Sequence, residues 1–456
     1  MRNAYKYLLE WKMRHDRKPL VIRGARQVGK TYLINQFGSE CYKNFLRLDF
    51  EKNANLFALF KTNDPKTIIE NLALIYNVDL LADHSLLFLD EIQACPEAFS
   101  SLRYFFEEIP SLHIVAAGSL LDILLDDPQF SMPVGRVEFL YLYPLRFDEF
   151  LEMLGESRLV SFLKTYQLGQ VVTDIVHEKL SQYFRKFLFI GGMPEAVSKY
   201  AATGSYVDAK RIHSSILDTY ENDFSKYKKR VSSDVLKTCF NYAIKNIGHK
   251  VKYTEISHQH HSLSLKNAIK LLSLARVIHI IRHSSANGIP LAAEESEAVY
   301  KLHFLDVALV YQSLGLEIIT MDDAETVLEG RIAEQIVAQE MLSDGLPFAR
   351  TSLHYWLREQ RTSNAEVDFV VSVHNEIIPI EVKAGKSGKL KSLHIFLAEK
   401  NRKRAVRFWA KQPCMDDLTQ TVTFSAKDQR TIQYRLLNLP LYLSGQLFRL
   451  LQDWKS

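Results

Sequence analysis

Residues 18–37 read KPLVIRGARQVGKTYLINQF. A short apolar run at 20–22 has the character of a buried strand, a loop bounded by glycines follows, and a helix begins at about Lys30. The loop is Gly24-Ala25-Arg26-Gln27-Val28-Gly29-Lys30-Thr31, a G-x-x-x-x-G-K-T pattern in the strand–loop–helix setting that it requires. The glycines let backbone amides converge on phosphate oxygens, and the helix N-terminus adds partial positive charge. The loop, with Tyr32 just beyond it, is therefore expected to cradle the phosphates of ATP. Lys30 is expected to reach the β- and γ-phosphates, and the Thr31 hydroxyl to bind Mg2+.

Working outward, residues 84–108 read HSLLFLDEIQACPEAFSSLRYFFEE. The unbroken apolar run 86–89 suits a parallel strand covered on both faces. It ends in Asp90-Glu91, at the end of such a sheet where ligands bind. Asp90 is the expected Mg2+ carboxylate, and Glu91 the group that polarises an attacking water. A third strand, in LHIVAAGSLLDIL, ends at Gly118-Ser119. Ser119 is either a polar sensor of the γ-phosphate or the N-cap of the next helix, and it can be both. Arg136, between a loop and an apolar strand, is a candidate arginine finger, in cis or for a neighbouring subunit, or else a surface arginine. Arg23 and Arg26 flank the phosphate loop as weaker candidates.

These segments (RGARQVGKT, LLFLDEIQ, AAGSL and GRVEFLYLYPLRFDEFL) resemble the bacterial and archaeal AAA-type ATPases that carry a C-terminal domain of unknown function 4143. The resemblance implies an α/β fold: an ATP-binding αβα sandwich around a parallel sheet, with Lys30, Thr31, Asp90 and Glu91 in the usual roles and Mg2+ as cofactor. It extends to FIGGMPEAV at 189–197, to KLHFLDVALV at 301–310 and to a hairpin near residue 370, so it covers most of the chain.

A chain of 456 residues is too long for one core. The expected division is an ATP-binding domain at 1–150, a helical lid or linker at 151–222, a winged-helix-like domain at 223–315 and a nuclease-like domain at 316–456. A hydrophobic content of 47% with 24% charged residues belongs to a folded chain. No apolar run approaches the ~18 residues of a membrane span. The N-terminus offers no secretory signal, and four scattered cysteines without C-x-x-C spacing argue against zinc and disulfides. A cytoplasmic protein without a membrane partner is the expectation.

The net charge of +4 is too small to name a nucleic-acid partner, but its distribution is uneven. Residues 224–262 hold eight Lys/Arg against two Asp/Glu. A helical spacing of Ala268, Leu271, Leu272 and Ala275 follows, then a strand-like VIHIIRHS and a turn at Asn287-Gly288. Helix, turn, helix and a two-stranded wing is a DNA-binding pattern, and Tyr227 and Tyr253 suit a phosphate backbone. A solvated charge run used for protein contacts is the alternative. His258, His260 and His261 lack the spacing of a zinc site and read as a polar loop.

The hairpin is AEVDFVVSV followed by EIIPIEVKAG, with a tight turn at His374-Asn375. Strand alternation puts Asp368 on one face of the first strand, and Glu381 with Lys383 on one face of the second. Two carboxylates can bind Mg2+ or Mn2+ and lower the pKa of a bound water, and a lysine can steady the developing charge. Asp…Glu-x-Lys on a hairpin is the core of the restriction-endonuclease-like fold, PD-(D/E)xK, with Val367 where a proline is usual. Glu334, an acid on an apolar stripe with Val337, Ala338 and Met341, is the candidate for the further metal ligand that the fold places on a preceding helix, the alternative being that it faces a solvated groove. The alternatives are an exposed salt-bridged hairpin and a nuclease fold that has lost cleavage.

The expected function is Mg2+-dependent ATP hydrolysis coupled to DNA binding or processing, with a nuclease centre at the hairpin and a possible homo-oligomer through Arg136. The alternative is an ATP-switched regulatory or scaffolding protein that binds other proteins.

Overall fold

The structure is a computed structural model that describes residues 2–81, 84–126, 133, 135–227, 230–315, 327–359, 364–385, 388–425 and 428–454. The chain divides into two compact units. Unit 1 comprises residues 1–143, 270–277 and 346–350; unit 2 comprises 144–269, 278–345 and 351–456.

Unit 1 is an α/β domain. Its strands are β1 (Leu20–Arg23), β2 (Asn44–Asp49), β3 (Ser85–Asp90), β4 (His113–Gly118) and β5 (Glu138–Tyr141), and its helices are α1 (Asn3–Met13), α2 (Lys30–Cys41), α3 (Phe57–Phe60), α4 (Pro65–Tyr76), α5 (Pro96–Glu108) and α6 (Leu121–Leu125). The strands form one sheet in the order β2-β3-β4-β1-β5, every pair parallel. All six residues of β3 are buried, as its unbroken apolar run requires of a strand covered on both faces. One face packs Val21, Leu46, Leu87, Leu89 and Ile114 against Phe60, Ile68, Phe99 and Phe105. Beside α1 and α2, Trp11 and Phe37 pack edge-on or tilted with Tyr5, Tyr42 and His113, and the Trp11 indole donates to the Lys18 carbonyl at 3.0 Å.

Unit 2 opens with helices α7 (Phe147–Met153), α8 (Ser157–Thr165), α9 (Asp174–Ile190), α10 (Pro194–Thr203) and α11 (Tyr206–Asp223). Next come α12 (Ser233–Lys245), α13 (Tyr253–Ile256) and α14 (Ser262–Leu274), the last ending among unit 1 residues. An antiparallel pair follows, β6 (Ile278–Ser284) and β7 (Glu295–Phe304). This pair belongs to an eight-stranded mixed sheet, in the order β12-β13-β11-β10-β9-β8-β6-β7. Its other strands are β8 (His354–Arg358), β9 (Ala365–Val373), β10 (Glu376–Val382), β11 (Arg404–Trp409), β12 (Cys414–Ser425) and β13 (Asp428–Pro440). Helices α15 (Val307–Ser313), α16 (Val327–Ser343), α17 (Lys391–Lys400) and α18 (Leu447–Asp453) complete the unit. Among the described residues no helix is long and apolar enough to cross a membrane.

Two segments that carried the family resemblance meet inside unit 2. The Gly191-Gly192 break ends α9, and Gly192 N–H donates to Asp306 Oδ2 at 2.7 Å. The other oxygen of Asp306 caps α15, accepting from Ala308 N–H at 2.9 Å. A Cβ on Gly192 would lie 2.1 Å from the Leu145 carbonyl, so only glycine fits there. The GGMP break is thus a packing point.

From Ile332 to Leu342 helix α16 is buried, and the polar side chains inside are bonded to neighbours. The Gln335 amide spans the end of β7, donating to Phe304 O at 2.7 Å and receiving Phe304 N–H at 2.8 Å. Gln339 bonds Asp306 and Val307, and Glu340 receives Phe147 N–H at 3.1 Å. These bonds fix the height of Glu334 beside β7.

Candidate functional sites

In unit 1 the loop after β1 turns through Gln27 (φ 65°) and Gly29 (φ 85°), a left-handed conformation that favours glycine, and leads into α2. Lys30 is 7% exposed, and its Nζ donates to the carbonyls of Gly24 (2.9 Å) and Ala25 (2.8 Å). Burial pulls its pKa down to about 8, against the nearby charges of Glu91 and Asp90. Thr31 Oγ1 lies 3.1 and 3.2 Å from the two oxygens of Asp90, at the end of β3. Burial raises the Asp90 carboxyl, and the Arg47 guanidinium, 2.7 Å from Oδ2, opposes that rise.

Glu91 takes a positive φ of 50°, and its Oε2 accepts from the Gln93 amide at 2.6 Å and from Ser119 Oγ at 3.4 Å. Sequence reading thus finds five side chains, Lys30, Thr31, Asp90, Glu91 and Ser119, that the fold gathers at one end of the sheet. Ala25 and Val28 are buried in the loop, Arg26 pairs with Glu51 at 3.6 Å, and Tyr32 points outward with 74% of its surface exposed. Arg136 lies apart, its Nε 2.8 Å from Glu107 and its side chain 43% exposed. Arg23 contacts Asp122, whose Oδ2 also receives Arg276 Nε at 2.5 Å.

Three residues at this site escaped the sequence reading. Arg47 interrupts the apolar pattern of NFLRLD on β2, and that was a usable signal. Gln93 and Arg276 carried none, since one follows a loop and the other arrives 246 residues after Lys30.

An Mg2+ ion fits here on the donor set. A hydroxyl and a carboxylate meet at the phosphate loop, the oxygen donors that this ion takes.

In unit 2 the hairpin forms as its alternation requires. Strands β9 and β10 pair antiparallel with Ile380 opposite Phe369, and His374 (φ 50°) and Asn375 (φ 61°) make the two-residue turn. Val382 N–H donates to Asp368 Oδ2 at 2.7 Å, and Lys383 Nζ lies 2.5 Å from Glu381 Oε1. Burial, then the charge of Glu381, pushes the Asp368 carboxyl well up. Burial also raises Glu381, with Lys383 opposing. Glu381 is 5% exposed, and its Oε2 is buried without a hydrogen-bond partner.

Glu334 is engaged differently. Its Oε1 lies 3.0 Å from Lys301 Nζ and 3.4 Å from His303 Nε2. Burial alone would raise its pKa, but the charge of Lys301, with the His303 contact, outweighs burial and holds it down to about 2. Lys301 also contacts Glu366 and lies 4.9 Å from the centre of the Tyr355 ring. Lys301 and His303 sit two apart on β7, a period-two signal in YKLHF that the sequence reading passed over.

Among the described residues no three His, Cys, Asp or Glu side chains are gathered as a ready metal site. The fit to a divalent ion is therefore split. The buried, partnerless oxygen of Glu381 beside Asp368 suits a cation, whereas Glu334 already has one. His260 Nε2 lies 3.1 Å from Asp234.

A phosphate loop, an acid pair at the end of β3 with Asp90 buried, and an all-parallel five-stranded sheet define an AAA-type P-loop ATPase domain, and the family comparison agrees. Residues 16–151 match the family described as AAA domain. Residues 181–318 match a domain of unknown function (DUF8612), and 329–434 a domain of unknown function (DUF4143). No curated protein matches the sequence. Among solved structures, the chain is similar to the Walker-type ATPase paby2304 of Pyrococcus abyssi, at 16% identity and a TM-score of 0.44, covering 69% of this chain and 95% of that one. It is also similar to the Thermotoga maritima RuvB Holliday junction branch migration motor (14% identity, TM-score 0.30, 70% and 96% covered). A third similarity is to the Aeropyrum pernix ORC1 protein in complex with DNA (13%, 0.27, 68% and 90%).

Proposed function

We propose that this chain hydrolyses Mg2+-ATP and couples hydrolysis to DNA binding. The observation that carries the reading is the meeting of Lys30, Thr31 and Asp90, with Glu91 and Ser119 adjoining. In this reading Lys30 leaves the Gly24 and Ala25 carbonyls for the phosphates, while the loop amides from Gly24 to Gly29 hold them. Thr31 and Asp90 hold Mg2+, which supplies charge neutralisation across the phosphates. Glu91 accepts the proton of the attacking water, kept in place by Gln93 and Ser119. Arg136 serves a neighbouring copy by exchanging Glu107 for the phosphate. Lys30→Ala is expected to abolish ATP hydrolysis, and unchanged turnover would sink the assignment.

DNA enters this reading through the basic stretch 224–262 and the three helices with their β6–β7 pair. Lys245, Lys252 and Lys266 are exposed there. Duplex affinity is expected to fall steeply with salt, and Lys266→Glu to lower it further. At the hairpin, Asp368 and Glu381 are the proposed holders of Mg2+ or Mn2+, with Lys383 beside them. A cleavage assay on duplex, single-stranded and branched DNA, comparing the wild type with Asp368→Ala, tests whether that centre cuts.

A second reading has a specific observation behind it. Lysines already pair Glu334 and Glu381, and a carboxylate that holds an ammonium has less to offer a metal ion. It makes the chain an ATP-switched protein-binding scaffold. Salt-insensitive, weak DNA binding together with intact ATP hydrolysis would favour it.

A further inference from the structure

The carboxylate centre of unit 2 contains a cation of its own, and it comes from outside the hairpin. Lys301 stands on β7, in the stretch that precedes α16. Its side chain is fully buried, with Nζ 3.0 Å from Glu334 and in contact with Glu366. The Tyr355 ring covers it at 4.9 Å, so water does not compete for the ammonium. Glu334 lies against Gly248, where a Cβ would stand 2.9 Å from its Oε2. Turning away would strand a buried ammonium, the costly way to break such a pair.

The other half of the centre has an unmet need. Glu381 Oε1 is taken by Lys383, while Oε2 is buried with no partner, next to Asp368. Counting carboxylates and ammonium groups alone, four of the first (Glu334, Glu366, Asp368 and Glu381) face two of the second, Lys301 and Lys383. Two negative charges remain, the amount that one divalent ion cancels.

We propose that Lys301 is the built-in second cation of this centre, so that the centre takes one divalent ion, between Asp368 and Glu381, and not two. The proposal rests on the reading of the hairpin as a cation site. It makes Lys301 a positioning residue: it locks Glu334 and Glu366 away from the ion. It also makes the centre composite, because the segment matched at 329–434 lacks Lys301.

The test is a titration of the full chain with Mn2+ in the absence of nucleotide, counting bound ions by the loss of the free-ion paramagnetic signal. Asp368→Asn identifies the ions that belong to this centre. The wild type is expected to hold one ion that Asp368→Asn loses. Glu334→Gln is expected to keep that ion, with its affinity shifted by less than about tenfold. Lys301→Met is expected to gain a second ion, and Lys301→Met with Glu334→Gln to return to one. Two ions in the wild type, or loss of the ion in Glu334→Gln, would overturn the proposal while leaving the cation site standing. The Glu334→Gln arm decides the matter even where Lys301→Met does not fold. No ion that depends on Asp368 would instead remove the cation site itself.

Discussion

Arg47 Nη2 lies 2.7 Å from Asp90 Oδ2, so the buried carboxylate at the end of β3 is held by a guanidinium from the neighbouring strand. Burial raises the Asp90 carboxyl, and Arg47 is the strongest influence keeping it ionised. Removing that cation, as in Arg47→Met, raises the Asp90 pKa further. The acid limb of kcat/KM for ATP hydrolysis is expected to move to higher pH, with the alkaline limb unchanged. An acid limb that stays in place would mean that Arg47 does not govern the ionisation of Asp90.

Glu340 gives unit 2 a pH dependence of its own. Burial lifts its carboxyl from 4.5 to about 8, with Arg146 opposing. Between those values the folded chain holds a proton that the unfolded chain has lost. Stability from this group is therefore greatest below about 4.5 and falls as pH rises towards 8, by at most about 1.4 kcal/mol per pH unit. Glu340→Gln keeps a neutral acceptor for Phe147 N–H. Denaturation midpoints at pH 5 and pH 8 are expected to differ less in the variant than in the wild type; an equal difference would locate the dependence elsewhere.

The ATPase half was legible because its chemistry is local. Lys30 and Thr31 sit in one continuous motif, and Asp90-Glu91 ends an apolar run, so period and spacing alone place them. The hairpin was legible for the same reason, since alternation puts Asp368 and Glu381 on one face. What pairing those groups receive was not legible. Arg47 reaches Asp90 across a strand pair, and Lys301 reaches Glu334 and Glu366 through a mixed sheet whose strand order departs from chain order. The consequence is sharpest at Glu334. Its place on an apolar stripe suggests a metal ligand or a solvated groove, and the group that it meets is an ammonium on β7.

The Gly192 position predicts a stability loss with a clear control. A Cβ there would stand 2.1 Å from the carbonyl oxygen of Leu145, a residue whose N–H donates to Gly192 O at 2.6 Å. The strand of chain at Leu145 has to move, and the Gly192–Asp306 bond moves with it. Gly192→Ala is expected to cost at least about 1–3 kcal/mol. Gly288→Ala, with no atom within 4 Å of the added methyl, is expected to be neutral. Equal denaturation midpoints for the two variants would refute the packing argument.

Lys301 and Glu334 predict a non-additive pair. Lys301→Met alone leaves Glu334 and Glu366 without their buried ammonium, and breaking a buried pair from one side costs about 3–5 kcal/mol. Adding Glu334→Gln removes the stranded charge at its closest point and leaves an amide that still suits His303. The double variant is therefore expected to recover part of the loss, and chemical denaturation of the four species gives the coupling directly. Glu366, 38% exposed at its side chain, can turn towards water and is expected to contribute less. A double variant as unstable as Lys301→Met would mean that the ammonium matters for its packing against Tyr355 and not for its charge.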